Sequence, residues 1–291
     1  MGVKDMEIVR TGAALGADVW GVDLSDMDDA TFAKIHQAWL DHNGVLRFPC
    51  QKLDDDRFLA FAARFGELDL APITVTGTQW KPEYPHLAVI SNVTVDGKPI
   101  GSLGSYESKW HTDMSYNELP PKASMLYAIE LPLEGGDTGF GSTGAAYDAL
   151  PQAMKKRLVG LTCKHDASHN SVGQVRKGYQ EVYENREDIP GAVHSLVAEH
   201  PETGRKVLYL GRRARAFICE LPQDESDDLL DELFAHVAKP EFTWTQKWRL
   251  GDVVVWDNRC TVHRRDALDP NERRLLHRAQ IKDSHPMRAA A

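Results

Sequence analysis

Residues 242–258, FTWTQKWRLGDVVVWDN, hold two strand-like runs, FTWTQKWR and DVVVWDN, that meet at Leu250 and Gly251. Both are short, rich in β-branched or aromatic residues and bounded by Gly, Asp or Asn, the marks of β-strands. The connection is far too short for the crossover helix that parallel neighbours need, so antiparallel pairing is expected. A sandwich or jelly roll therefore fits better than a doubly wound sheet.

The rest of the chain agrees. GADVWGVDL (16–24), GVLRFP (44–49), LAVISNV (87–93), ASMLYAIEL (123–131), RKVLYLG (205–211) and LLHRAQIK (275–282) read as further strands. Helical periodicity, opened by Ser or Asp caps, marks 28–43, 54–66, 142–160 and 224–239. Strands outnumber helices and do not alternate with them, which predicts one mainly β domain over 1–291 with helices packed outside. Two stretches carry neither period, 68–108 outside LAVISNV and 163–195, and long loops in a compact domain are usually lids or binding loops.

Composition narrows the function. Among 291 residues, 43 are acidic and 34 basic, a formal charge of −9, which argues against a nucleic-acid-binding surface. Arginines nevertheless crowd the C-terminal part, at 249, 259, 264, 265, 273, 274 and 278. A local anion site is possible there, although Arg264 and Arg265 read better as solvated surface. Cys50, Cys163, Cys219 and Cys260 are far apart and form no CxxC, so neither a disulfide framework nor a thiolate zinc site is indicated, and a reducing cytoplasm fits. MGVKDMEIVR lacks an apolar signal core, and no run of 18 apolar residues occurs, so no membrane span is expected.

In KWHTDMSY (109–116), His111 and Asp113 stand two apart. Residues at that spacing share one face of an extended segment, so the pair can chelate. VVVWDNRCTVHRRD supplies a third candidate ligand, His263, after a buried-looking strand. Two imidazoles and a carboxylate on one face of an ion form the triad that leaves open positions on iron(II). LTCKHDASHN holds a second cluster, Cys163, His165 and His169, but offers no fourth ligand and reads as an ordinary loop.

ERRLLHRAQIKD (272–283) strengthens the first site. As a strand it places Arg274, Leu276, Arg278 and Gln280 on one face and Leu275, His277, Ala279 and Ile281 on the other. Two guanidiniums on one side of a central strand are costly to desolvate unless each meets an anion. Small carboxylates meet that need, and Arg binds them in bidentate fashion. His277, on the opposite face, is most simply a packed, hydrogen-bonded residue.

These residues and spacings, together with RFGELD, LPLEGGDTGF, AAYDALP, HPETGRK, FAHVAKPEF and WDNRCTVH, resemble the TauD/TfdA family of iron(II)- and 2-oxoglutarate-dependent dioxygenases over nearly the whole chain. The resemblance implies a double-stranded β-helix, a cupin-like barrel, with iron(II) on His111, Asp113 and His263. It implies 2-oxoglutarate as cosubstrate, its distal carboxylate on Arg274 and Thr138, and dioxygen as oxidant. Arg278 matches the arginine that meets the acidic group of the main substrate. The implied reaction hydroxylates a small carboxylate or sulfonate and releases succinate and carbon dioxide, and the presence of Asp113 sets the chain apart from related halogenases that lack the carboxylate ligand. Homo-oligomers are common in the family.

Substrate contacts are less constrained. Tyr106, Met114, Tyr116 and Trp80 are candidate pocket walls or core residues. Glu107 stands where taurine hydroxylases carry Asn, and it could meet a substrate ammonium or sit in an exposed loop. Two other functions stay open on the residues alone: a cupin-like metal-dependent hydrolase or isomerase, and a non-catalytic barrel that binds small acids. Arg274 speaks against the first, which needs no anchor for a cosubstrate carboxylate.

Overall fold

The computed structural model describes residues 6–72, 78–211 and 214–290. Its largest sheet has eight strands in the spatial order Glu7–Arg10, Ala17–Trp20, Val45–Phe48, Val253–Asp257, Ala123–Glu130, Leu275–Ile281, Leu87–Ser91 and Ser102–Leu103. A four-stranded sheet runs Thr243–Gln246, Thr138–Ser142, Thr261–Arg265 and Ser108–His111. Pairing is antiparallel except for Ala17–Trp20 beside Val45–Phe48 and Leu87–Ser91 beside Ser102–Leu103. The molecule is mainly β with flanking helices.

The run VVVW makes physical sense once the layers are seen. Val253 and Val255 face a core shared with Trp39, Phe58 and Phe61, where helices Asp29–Asp41 and Asp55–Ala63 cover one side of the large sheet. Val254 and Trp256 face the opposite way, into a core with Phe140, Leu126 and Leu276 between the two sheets. A strand buried on both faces has no polar alternation to show. Helix Gln223–Val237 packs its Leu229, Leu230, Leu233 and Val237 against the outside of the small sheet at Val262. Among the described residues, no helix is long and apolar enough to cross a membrane.

Two expectations need correction. Thr243–Gln246 and Val253–Asp257 do not pair; they belong to different sheets. The chain turns a corner between them, where Asp252 accepts hydrogen bonds from Gln246 Nε2 at 2.8 Å and Arg249 N at 3.1 Å, and the antiparallel partners lie elsewhere in the chain. The helix expected over 142–160 is two, Thr143–Ala149 and Gln152–Leu158, because Pro151 has no N–H to give and drives Leu150 into extended backbone. The glycine-rich GDTGFGS holds the buried strand Thr138–Ser142. A Cβ at Gly139 would meet Arg264 and Trp110 at 3.0–3.1 Å, so glycine lets the neighbours close over the strand.

Neither long stretch is free of structure. Beyond the expected strand Leu87–Ser91, the first contains three short strands before Ser108–His111, and its residues 73–77 lie outside those described. The second contains Thr162–Lys164, Arg186–Asp188 and Val193–Ser195.

Candidate active site

His111 is the last residue of Ser108–His111, an edge strand of the small sheet, and His263 lies directly across from it on Thr261–Arg265. Their rings stand 4.1 Å apart, centroid to centroid. Asp113 is not in the strand. It sits in the turn that follows, where Thr112 N donates to Gly211 O at 2.8 Å and Met114 takes a φ of +45°. The turn still brings one carboxylate oxygen, Asp113 Oδ1, to 3.8 Å from His111 Nε2 and 3.9 Å from His263 Nε2. All three residues are buried, and their ligand atoms lie within 4.8 Å of one another.

Second contacts aim these groups. His111 Nδ1 lies 2.8 Å from Lys109 O, which accepts a hydrogen bond from Nδ1–H and leaves Nε2 with its lone pair toward Asp113. Ser124 Oγ donates to Asp113 Oδ2 at 2.8 Å, Asn258 Nδ2 donates to Ser124 Oγ at 3.0 Å, and Trp256 Nε1 donates to Asn258 Oδ1 at 3.0 Å. This relay holds one carboxylate oxygen and leaves the other facing the imidazoles. Burial pushes the Asp113 carboxyl up, yet Arg278, His263, His111 and the Ser124 hydroxyl outweigh it and hold the group well below the usual carboxylate range. An ionised carboxylate and two imidazoles, convergent and out of water, form a donor set that fits ferrous iron.

A narrow pocket beside this trio is lined by His111, His263, Thr138, Arg265, Arg274 and Arg278, among others. Arg274 is 2% exposed, and its Nε has no hydrogen-bond partner among the described residues. Burial, reinforced by the charge of nearby Arg265 and opposed by Asp137, pulls Arg274 down to about 9. Such a group stays charged at neutral pH and favours an incoming anion. Thr138 Oγ1 accepts from Trp248 Nε1 at 3.0 Å, so its own hydroxyl proton remains to be donated.

At Arg278 the pocket meets a larger cavity of about 560 Å³ that also reaches Asp113. Its walls are mostly apolar, with Trp80, Leu87, Ile90, Leu103, Met114 and Tyr116, and among the described residues its cationic lining residues are Arg176 and Arg278. Residues from both long stretches line it, among them 70–72, 78–80, Pro99 and 101–103 from the first and Asn170, Ser171, Gln174 and Arg176 from the second. Arg278 donates from Nη1 to Asp113 Oδ1 at 3.3 Å and from Nη2 to Gln280 at 3.2 Å.

The structure thus brings together His111, Asp113, His263, Thr138, Arg274, Arg278, Met114 and Tyr116. It does not bring in Tyr106, which is 62% exposed, or Glu107, also exposed; both precede the strand that carries His111 and line neither space. Cys163 lies in Thr162–Lys164, His165 stacks on Tyr209 and His169 bonds to Asp166, so these three do not converge on one point. His277 packs on the far face of its strand, 2.8 Å from the Asp55 carboxylate.

The arginine cluster divides by environment. Arg259 is no anion site: it forks onto Asp257 through Nε at 2.8 Å and Nη2 at 2.7 Å, and Nη2 also meets Glu202 at 2.7 Å. Asp257, His200 and Cys260 are near enough to hold an ion, but the Asp257 oxygens are already taken by Arg259 and His200, so the group is an ion-pair network. Arg264 pairs with Asp266 and Arg273 with Glu130. Arg265, expected on the surface, is buried at 6% exposure. Sequence reading also missed Ser124 and Trp248; a lone serine inside the apolar run ASMLYAI was the available sign of the first.

Residues 7–280 match the family described as taurine catabolism dioxygenase TauD, TfdA family. An alpha-ketoglutarate-dependent 2,4-dichlorophenoxyacetate dioxygenase of Burkholderia sp. (strain RASC) is 39% identical over 82% of each chain. Pentalenolactone F synthase of Streptomyces avermitilis is 35% identical over 94% of this chain and 93% of its own. The crystal structure of AAD-2 in complex with Mn(II) and N-oxalylglycine superposes with a TM-score of 0.79 at 30% identity, covering 97% of this chain and 99% of that one. The chain belongs to the TauD/TfdA dioxygenase family.

Proposed function

We propose that this iron(II)- and 2-oxoglutarate-dependent dioxygenase hydroxylates an aliphatic carbon of a small carboxylate or sulfonate with an apolar body, releasing succinate and carbon dioxide. In this reading, His111, Asp113 and His263 hold the iron, and Arg274 with Thr138 receives the distal carboxylate of 2-oxoglutarate. Arg278 receives the acid of the substrate. When bound, the ferrous ion and 2-oxoglutarate supply the activation of dioxygen and the oxidising power. The protein's part is to orient one C–H bond and to exclude water, which the apolar walls around Met114, Ile90 and Leu103 serve.

The observation that carries the reading is the junction at Arg278 between the narrow, arginine-rich pocket and the large apolar cavity. One space suits a small dianion beside the metal ligands, and the other suits an acid with a hydrophobic body. The named substrate of the Burkholderia relative, an aryloxyacetate, is of that second kind. The two packed sheets are proposed to form a double-stranded β-helix in one domain, with the stretches around 70–103 and 170–176 covering its mouth. The four cysteines form no disulfide, which suits a cytoplasmic enzyme.

The test is succinate formation from 2-oxoglutarate and dioxygen in the presence of iron(II) and a panel of carboxylates and sulfonates, 2,4-dichlorophenoxyacetate among them. Under anaerobic conditions, iron(II) and 2-oxoglutarate together should give a weak visible charge-transfer band, which a hydrolase or isomerase lacks. His111→Ala should lose both signals, and turnover retained in that variant would refute the metal assignment.

A further inference from the structure

We propose that Arg265 is a second guanidinium acting on the distal carboxylate of the cosubstrate, so that selectivity for a dicarboxylate rests on Arg265 and Arg274 together. The inference builds on the cosubstrate reading above and adds a residue to it.

Arg265 lies on the strand of His263 two positions further on, hence on the same side, and it stands directly across from Thr138. It lines the narrow pocket with Thr138 and Arg274. The side chain is out of water, yet it meets no carboxylate: Nη2 donates to Leu103 O at 3.0 Å and to Tyr106 O, while Nε and Nη1 have no partner among the described residues. Two carbonyl oxygens cannot neutralise a buried cation, and a second buried cation, Arg274, lines the same narrow pocket.

A packed core tolerates neighbouring unpaired guanidiniums poorly. One anion between or beside them resolves both costs, and Arg274 with Thr138 already marks where its carboxylate goes. The carbonyls of Leu103 and Tyr106 then act as the brace that keeps the Arg265 fork in place. A purely structural Arg265 would serve those carbonyls alone and would be indifferent to the charge of the ligand.

Two 2-oxo acids of equal length separate these roles, 2-oxoglutarate and 2-oxopentanoate, which lacks the distal carboxylate. Their dissociation constants are measured by anaerobic calorimetry on the iron(II)-loaded protein, with no turnover required. Wild type should prefer 2-oxoglutarate strongly. Arg265→Gln should weaken 2-oxoglutarate on the order of tenfold, as expected for one lost charge-assisted contact. Its 2-oxopentanoate affinity should stay within about twofold, since that ligand offers nothing to the missing charge. Arg265→Lys, which keeps the charge and tests the case where the glutamine variant folds poorly, should recover most of the preference.

Equal weakening of both ligands in Arg265→Gln, or an unchanged preference, overturns the proposal while leaving the Arg274 assignment intact. A wild type that shows no preference between the two acids would overturn the cosubstrate reading itself, and this proposal with it.

Discussion

Arg278 Nη1 donates to Asp113 Oδ1 at 3.3 Å, and that oxygen is the one facing the Nε2 atoms of both His111 and His263. A cation therefore stands beside the carboxylate at the point where a metal would bind, and the same residue lines the large cavity. In the proposed reading, binding of the ion and of an acidic substrate would both draw on this one guanidinium, which would link the two events.

Arg278→Ala should lower kcat/KM for any productive acid by about 10- to 150-fold, the loss of one charge-assisted contact to a carboxylate or sulfonate. Steady-state succinate release across a concentration series of that acid measures it. An acid that loses nothing would show that its anionic group is held elsewhere.

Arg274 predicts a trade of function against stability. A buried guanidinium without a partner costs more than an apolar side chain of like size, so Arg274→Met should raise the melting temperature of the ligand-free protein, on the order of 5 °C. The same variant should no longer be stabilised by 2-oxoglutarate, whereas wild type gains with ligand concentration. Thermal unfolding with and without the ligand checks both.

Trp248 holds the Thr138 oxygen, which orients the hydroxyl proton away from the indole. Trp248→Phe keeps the ring but frees the hydroxyl to rotate. The 2-oxoglutarate dissociation constant should rise about 3- to 10-fold, the scale of one hydrogen bond. Titration of the anaerobic visible band reads this directly.

Acid should unfold the protein through the network behind the site. Burial opposes ionisation of Asp257, but Arg259 and His200 hold it well below the usual carboxylate range. The hydrogen bond from His36, with help from Lys122 and Arg259, does the same for Glu202. Both carboxyls have lower pKa values folded than unfolded, so the unfolded chain binds protons first. Stability is complete above the unfolded carboxylate pKa of about 4 and falls as pH drops further. Asp257→Asn should flatten that fall below about pH 4.5 and cost about 3–5 kcal/mol at neutral pH, because Arg259 loses its buried partner. Urea unfolding as a function of pH measures both effects, and Glu202→Gln provides a milder variant.

Much of this was legible before any coordinates. His111, Asp113, His263, Arg274 and Arg278 are marked by residue type and spacing, and the alternation in 274–281 separates Arg278 and Gln280, which bond each other, from Ala279 and Ile281 in the core. The corner at Asp252 was not legible, because a short connection says that two strands are near but not whether they share a sheet. Tyr106 and Glu107 were equally open, since a loop residue beside a ligand can face either way.

By itself the sequence determined the features that near neighbours decide: helix caps at Asp28 and Asp54, the strand periods and the inventory of ligands and arginines. Only the tertiary structure decided which arginines are spent and which are in reserve. Arg259 and Arg265 are both buried in the same stretch, yet one meets Asp257 and Glu202 while the other meets two carbonyls. The partner of a charge comes from strand order across the sheets, and strand order is set by long-range packing that no local window of residues contains.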